Sequence, residues 1–139
     1  MNYLLDTNAV SETRKARPDV NVRDWFERTH ADALYLGAMV VGEIRVGIER
    51  LRRRDPTQVR GLDSWLGDLI AMYSSRIIPV DIHVAQEWGK LEATYGPLPV
   101  MDGVLAATAR IHELTVVTRN VIDFERAGVR VLNPWLHHA

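Results

Sequence analysis

Short apolar runs alternating with longer helical patterns predict an α/β fold: a sandwich built on a small, mostly parallel sheet. Three observations carry this. The chain opens on Tyr3–Leu4–Leu5 and then turns abruptly to Asp6–Thr7–Asn8, as a buried strand does when it delivers polar groups to one edge of a sheet. Further short runs follow at Leu34–Tyr35–Leu36, Arg76–Val80, Thr115–Val116–Val117 and Val129–Leu132, with helical periods between them. The helical share is high, so the sheet should be small and well covered.

The elements follow in order. After the first strand, Tyr3–Leu5, a short helix is expected over Ala9–Lys15, running into a break at Arg17–Pro18. Val22, Trp25, Phe26 and Thr29 recur at helical spacing, giving an amphipathic helix to about His30. Gly37 ends the strand at Leu34–Leu36. A longer helix, Ala38–Arg52, carries Val40, Ile44, Gly47, Ile48 and Leu51 on one stripe and stops at Asp55–Pro56. The next, Thr57–Tyr73, is the most periodic, with Leu62, Trp65, Leu66, Leu69, Ile70 and Tyr73. Its stripe fits either plain core packing or a protein interface. Beyond the strand at Arg76–Val80, Asp81 is placed to cap a helix carrying Val84, Trp88, Leu91 and Tyr95. Gly96–Pro97–Leu98–Pro99 is a stiff loop, and the helix from Met101 to His112 is built on Ala106, Ala107 and Ala109, small enough to approach a sheet closely. The strand at Thr115–Val117 leads into a turn, Thr118–Arg119–Asn120, and a helical segment, Val121–Arg126. Gly128 then breaks the chain before the last strand, Val129–Leu132, and Asn133–Pro134–Trp135.

At 139 residues the chain is read as one domain, 1–139, large enough to bury a core without covalent staples. It contains no cysteine, which excludes disulfides and zinc–thiolate sites and fits a cytoplasmic protein. No signal peptide or membrane-length apolar run is visible. The formal net charge of −1 makes no global case for nucleic acid, but Arg45, Arg50, Arg52, Arg53 and Arg54 cluster on one segment. They fit a solvated helix end, where cations suit the macrodipole, as well as a phosphate-binding patch.

Four places concentrate polar chemistry. Asp6 follows a strand and precedes a helix, so helix capping explains it as well as a site would. Glu43 lies at the margin of the Val40–Ile44–Ile48 stripe between Gly42 and Gly47, where small neighbours leave room for a ligand; the alternative is a surface pair with Arg45 or Arg50. Asp102 opens a helix, which alone would account for it, yet its flanks are apolar and a buried carboxylate needs a partner. Thr118, Asn120 and Asp123 could form a capped turn and nothing more. Singly each has a structural explanation; jointly they outline a site at one edge of a sheet. Several carboxylates without cysteine suit a hard divalent cation such as Mg²⁺ or Mn²⁺. His30, His83, His112, His137 and His138 form no zinc pattern, the last two reading as solvated near the chain end. Phosphate-binding glycine loops, dinucleotide fingerprints and the serine-hydrolase elbow are absent from the sequence.

Taken in order, Leu4–Leu5–Asp6–Thr7–Asn8, Val41–Gly42–Glu43–Ile44 with Gly47, Asp102 leading into Leu105–Ala106–Ala107–Thr108–Ala109, and Val117–Thr118–Arg119–Asn120 running to Asp123–Phe124 resemble the PIN-domain family. The likeness is to its VapC/FitB-like toxins of bacterial toxin–antitoxin pairs, and the closing Asn133–Pro134–Trp135 is also FitB-like. The resemblance implies a three-layer α/β/α sandwich and a metal-dependent endoribonuclease. By position, Asp6, Glu43 and Asp102 match the family's metal-holding acids. Asn120 stands where many relatives carry an acid, and Asp123 can supply the missing charge. Asp6, Glu43, Asp102, Asn120 and Asp123 are thus the implied catalytic set, with Mg²⁺ or Mn²⁺ held by Asp6, Glu43 and Asp102. Thr7, Asn8 and Thr118 are read as donors that orient the carboxylates. The implied partners are an RNA substrate, a cognate antitoxin and a second copy of the chain, with assembly on DNA through the antitoxin. Arg45, Arg50 and Arg52–Arg54 are the candidate RNA contacts. The rival is a non-catalytic or conditionally active PIN-fold nucleic-acid-binding subunit of a repressor complex, for which Asn120 leaves room. A receiver-type phosphoryl-transfer domain fits less well, because Asp6 has no adjacent acid and no lysine follows Lys90.

Overall fold

A computed structural model describes residues 1–136; His137 and His138 lie outside the described residues. The strands are β1 (Tyr3–Leu5), β2 (Leu34–Gly37), β3 (Ile77–Ile78), β4 (Thr115–Val117) and β5 (Val131–Leu132). They form one parallel sheet in the order β3-β2-β1-β4-β5. Leu4, Leu5, Leu36, Val116 and Val117 are essentially inaccessible. Adjacent residues on these strands are buried together because the sheet is covered on both faces, which is why the runs are continuously apolar.

The helices are α1 (Thr7–Glu12), α2 (Val20–Arg28), α3 (Ala38–Arg54), α4 (Val59–Met72), α5 (Ile82–Tyr95), α6 (Val100–His112) and α7 (Val121–Arg126). From β1 the chain steps outward to β2 and β3, then returns across β1 to β4 and β5. Right-handed crossovers put α1–α4 on one face and α5–α7 on the other. The packing agrees: α3 lies against α1 and α4, and α6 against α5 and α7. The result is a three-layer α/β/α sandwich whose strand order reverses between β1 and β4. The carboxyl ends of those two strands meet at a topological switch point, where open α/β sheets bind ligands.

Boundaries moved for local reasons. The first helix starts at Thr7, not Ala9, because the Asp6 carboxylate accepts from the Ala9 amide (3.1 Å) and caps it there. It ends at Glu12 rather than Lys15, with the Thr13 hydroxyl on the Val10 carbonyl (2.6 Å). Asp19 caps α2 through the Asn21 and Val22 amides, so that helix begins before Val22. The Thr57–Tyr73 stretch divides into a 3-10 turn at Pro56–Gln58 and α4, because Asp55 takes the Thr57 amide and hydroxyl and the Gln58 amide group. The third and fifth strands are shorter than Arg76–Val80 and Val129–Leu132, although the Arg76 and Arg130 carbonyls still accept from Leu36 and Val116. Pro79 has no amide hydrogen to extend the ladder. Among the described residues, no helix is long and apolar enough to cross a membrane.

Candidate active site

Asp6 is the residue at which β1 becomes α1. Its amide donates to the Val117 carbonyl (3.0 Å), continuing the ladder to β4, and its side chain is buried at the switch point. One carboxylate oxygen caps α1; the other accepts from the Thr118 hydroxyl at 2.5 Å. Thr118, the first residue past β4, is fully buried, and its hydroxyl also accepts from the Asn120 amide (3.0 Å). Capping and site geometry are therefore the same arrangement. Burial raises the Asp6 carboxyl above the ordinary aspartate range, and the Thr118 hydroxyl and the Ala9 and Asn8 amides oppose that.

Glu43 sits near the start of α3, half-buried, and accepts from the Thr7 hydroxyl at 2.9 Å. It does not pair with Arg45 or Arg50. Arg45 bonds Asp63 (2.9 Å) and Glu49 (3.2 Å), and Arg52 joins the same two acids, so both cations are spent in a surface network between α3 and α4. Arg50 is exposed and lines neither of the clefts described below. Within the Arg45–Arg54 segment, Arg45 and Arg52 are thus ion-paired, while Arg50, Arg53 and Arg54 make no ion pair among the described residues.

Asp102 lies in the first turn of α6, half-buried. The Asn120 side-chain amide donates to Asp102 (3.2 Å) and to Asp123 (3.1 Å), so Asn120 bridges two acids where a third carboxylate would repel them. Desolvation raises the Asp102 carboxyl, and Asp6, Asp123 and Glu43 push it further, with Asn120 pulling the other way. Asp102 on α6 thus feels acids from the end of β1, from α3 and from α7 across the switch point.

Asp6, Glu43 and Asp102 line a single cleft of ≈ 140 Å³, together with Thr7, Asn8 and the apolar Met39, Met101 and Leu105. An all-oxygen donor set under mutual repulsion has the chemistry a hard divalent cation satisfies. Among the described residues, no three acidic or imidazole groups converge closely enough as they stand to form a metal cage. Each acid is instead held by a neutral donor: Asp6 by Thr118, Glu43 by Thr7 and Asp102 by Asn120. A separate cavity of ≈ 300 Å³ at the opposite sheet edge places Arg110 and Glu87 in an ion pair and carries no comparable chemistry.

Spacing did not reveal two features. Arg14, at the end of α1, lines a groove that shares Thr7 and Glu43 with the acid cleft; the only hint was the basic run Arg14–Lys15–Ala16–Arg17. Arg119 stacks over Trp135 (4.3 Å) beside the site turn, and the Asn21 side chain donates to the Trp135 carbonyl (2.8 Å). Nothing local in the sequence pairs Arg119 with Trp135.

Comparison with known proteins identifies the family. The PIN domain model matches residues 3–129. The chain is 36% identical over 139 residues to VapC ribonuclease Y4jK of Sinorhizobium fredii (strain NBRC 101917 / NGR234), covering 95% of this chain and 96% of that protein. It is 34% identical to toxin FitB of Neisseria gonorrhoeae (strain ATCC 700825 / FA 1090), covering 95% and 97%. The crystal structure of FitAcB from Neisseria gonorrhoeae superposes with a TM-score of 0.88 at 33% identity, over 96% of this chain and 98% of that one.

Proposed function

The chain belongs to the PIN-domain family, and from that premise we propose that it is the toxin of a type II toxin–antitoxin pair, an endoribonuclease dependent on Mg²⁺ or Mn²⁺. The observation that carries this is the gathering of Asp6, Glu43 and Asp102 around one cleft at the switch point, with the Asp102 carboxyl pushed up by burial and then by its acidic neighbours. Relatives named as a ribonuclease and as a toxin support it.

Asp6, Glu43 and Asp102 would hold the cation, with Asp123 adding charge across Asn120. A divalent ion held by them would supply charge to offset the scissile phosphate and activation of water. The chain's own residues prepare that site. Thr118 fixes the rotamer of Asp6, Thr7 that of Glu43, and the Asn120 amide keeps Asp102 and Asp123 from turning away from each other. Met39, Met101 and Leu105 limit bulk water. In this reading water is the nucleophile, and the Thr7 hydroxyl serves to orient Glu43. The partners that go with this function are RNA as substrate, an antitoxin protein that covers the cleft, a second copy of the chain, and DNA reached through the antitoxin.

The test is cleavage of total RNA by antitoxin-free protein in Mg²⁺, in Mn²⁺ and in EDTA, beside Asp102→Asn as a folded control. Discrete fragments that require metal and vanish in the variant are expected. Equal cleavage by both proteins would mark a contaminant. A folded chain that binds metal yet cuts no RNA would favour the non-catalytic binding-subunit reading instead.

A further inference from the structure

The acid cleft adjoins a longer groove. Thr7 and Glu43, joined by a 2.9 Å hydrogen bond, line both the cleft and a channel of ≈ 450 Å³ between α1, α3 and α4. Farther out, the channel is lined by Arg14, Arg54, Gln58, Leu62 and Trp65. It continues past Arg14, Gln58, Leu62 and Trp65 into a second recess toward Thr13 and Gly61. Charge is graded along it, acidic at the cleft and basic at the far end.

The arginines of this face are not equivalent. Arg45 and Arg52 are neutralised by Glu49 and Asp63. Arg14 and Arg54 are exposed and make no ion pair among the described residues. A polyanion drawn toward four carboxylates needs cations nearby to offset repulsion, and these two line the route to the acids. Trp65 is half-buried, with its indole forming part of the wall. Paired cations beside an aromatic surface make a binding track for single-stranded nucleic acid. The middle of the channel is apolar (Ile44, Ile48, Leu51, Leu62 and Trp65), but Arg14 and Arg54 at its far end carry charge that a polyanion satisfies and a purely apolar protein segment does not.

We infer that the groove between α1, α3 and α4 holds the single-stranded RNA flanking the scissile phosphate, with Arg14 and Arg54 on backbone phosphates and Trp65 under a base. This rests on the ribonuclease reading above and names the residues that seat its substrate. Arg14 and Arg54 are positioning residues outside the carboxylate set.

The experiment is fluorescence anisotropy of a labelled single-stranded RNA oligonucleotide with the Asp102→Asn chain in Mg²⁺, so that binding is read without turnover, across a KCl series. Relative to this parent, adding Arg14→Ala and Arg54→Ala together should weaken binding roughly tenfold and lower the salt slope by about 0.7 per lost contact, ~1.4 in all. Arg45→Ala, whose cation is already paired, should leave the slope unchanged. Binding should quench tryptophan fluorescence, and Trp65→Phe should remove most of that quench; thermal unfolding establishes that each variant is folded. An unchanged slope in the double variant, with RNA cleavage intact in the otherwise wild-type chain, overturns the inference alone. So does a double variant that binds RNA normally but is no longer neutralised by its antitoxin, which would make the groove a protein seat. A wild-type chain that neither binds nor cuts RNA overturns the ribonuclease reading, and this inference with it.

Discussion

Thr118 shows how much one hydroxyl carries. It is fully buried, donates to Asp6 and accepts from the Asn120 amide, so it joins the carboxylate at β1 to the turn that bridges Asp102 and Asp123. Thr118→Val keeps the shape and removes both bonds. It should cost about 1–3 kcal/mol of stability, because the Asn120 amide loses its partner, and reduce cleavage roughly 10- to 100-fold by freeing the Asp6 rotamer. Urea unfolding beside single-turnover cleavage checks both; full activity with lost stability would confine Thr118 to a structural part. Asp102 works in the opposite direction. Its folded-state pKa is raised, so the charged carboxylate destabilises the metal-free fold above that pKa, and the penalty disappears as pH falls below the ordinary aspartate value of 3.8. Asp102→Asn retains an oxygen for the Asn120 amide. In EDTA at neutral pH it should therefore melt a few degrees higher than wild type, ~1 kcal/mol, a gain that shrinks on acidification. A lower melting temperature would mean that the negative charge on the first turn of α6 outweighs repulsion. Spacing alone could not decide between cap and site for Asp6, because in the fold it both caps α1 and lines the cleft. Nor could it decide what Asn120 does, since donating to two acids requires knowing where α6 ends up.

At the scale of elements, α6 depends on close approach. Gly103 follows Asp102 and is buried, and a Cβ there would stand 3.0 Å from Cδ1 and Nε1 of Trp88 on α5. Alanine would favour the helix by up to about 1 kcal/mol, but the indole would have to move, and overpacking of that kind costs about 1–3 kcal/mol. Gly103→Ala is therefore expected to be destabilising on balance and to shift the turn carrying Asp102, lowering cleavage more than stability. Denaturant midpoints and cleavage rates on the same preparations separate these effects, and a stabilised, fully active variant would show that Trp88 yields freely. The elements themselves were legible where a period could run. The stripes of α3, α4 and α5 identified their helices, and Asp81 caps α5 at the Val84 amide as its position suggests. Short strands were harder. β3 and β5 are two residues each, too few for a pattern to show where pairing ends, and Asp55 divides one helical period with side-chain bonds that periodicity cannot register.

At the scale of the molecule, topology collects the charge. β1 lies at the centre of the sheet with Asp6 at its end; Glu43 comes from the layer of α1–α4, and Asp102 and Asp123 come from the layer of α5–α7. Each acid is separately tolerable, and the fold brings them to one place, where burial and then the charges of Asp6, Asp123 and Glu43 raise the Asp102 carboxyl. No run of sequence states this, because the reversal of strand order between β1 and β4 creates the meeting point. A divalent cation binding there must be linked both to folding and to protons. Saturation at about a hundredfold over Kd would stabilise the native state by about 2.7 kcal/mol, which corresponds to roughly 10 °C for a chain of this size. Asp6 and Asp102 both hold their protons more tightly than free aspartate, and both must release them to ligate. Apparent metal affinity should therefore fall as pH is lowered toward their raised pKa values, and the Mg²⁺-dependent gain in melting temperature should narrow with it. Thermal unfolding with Mg²⁺ or EDTA across a pH series carried from neutral down to the ordinary aspartate value of 3.8 reads this without RNA. A gain that is constant over the whole series would place the cation on acids other than this raised pair, and no gain at any pH would remove metal from the account of the site.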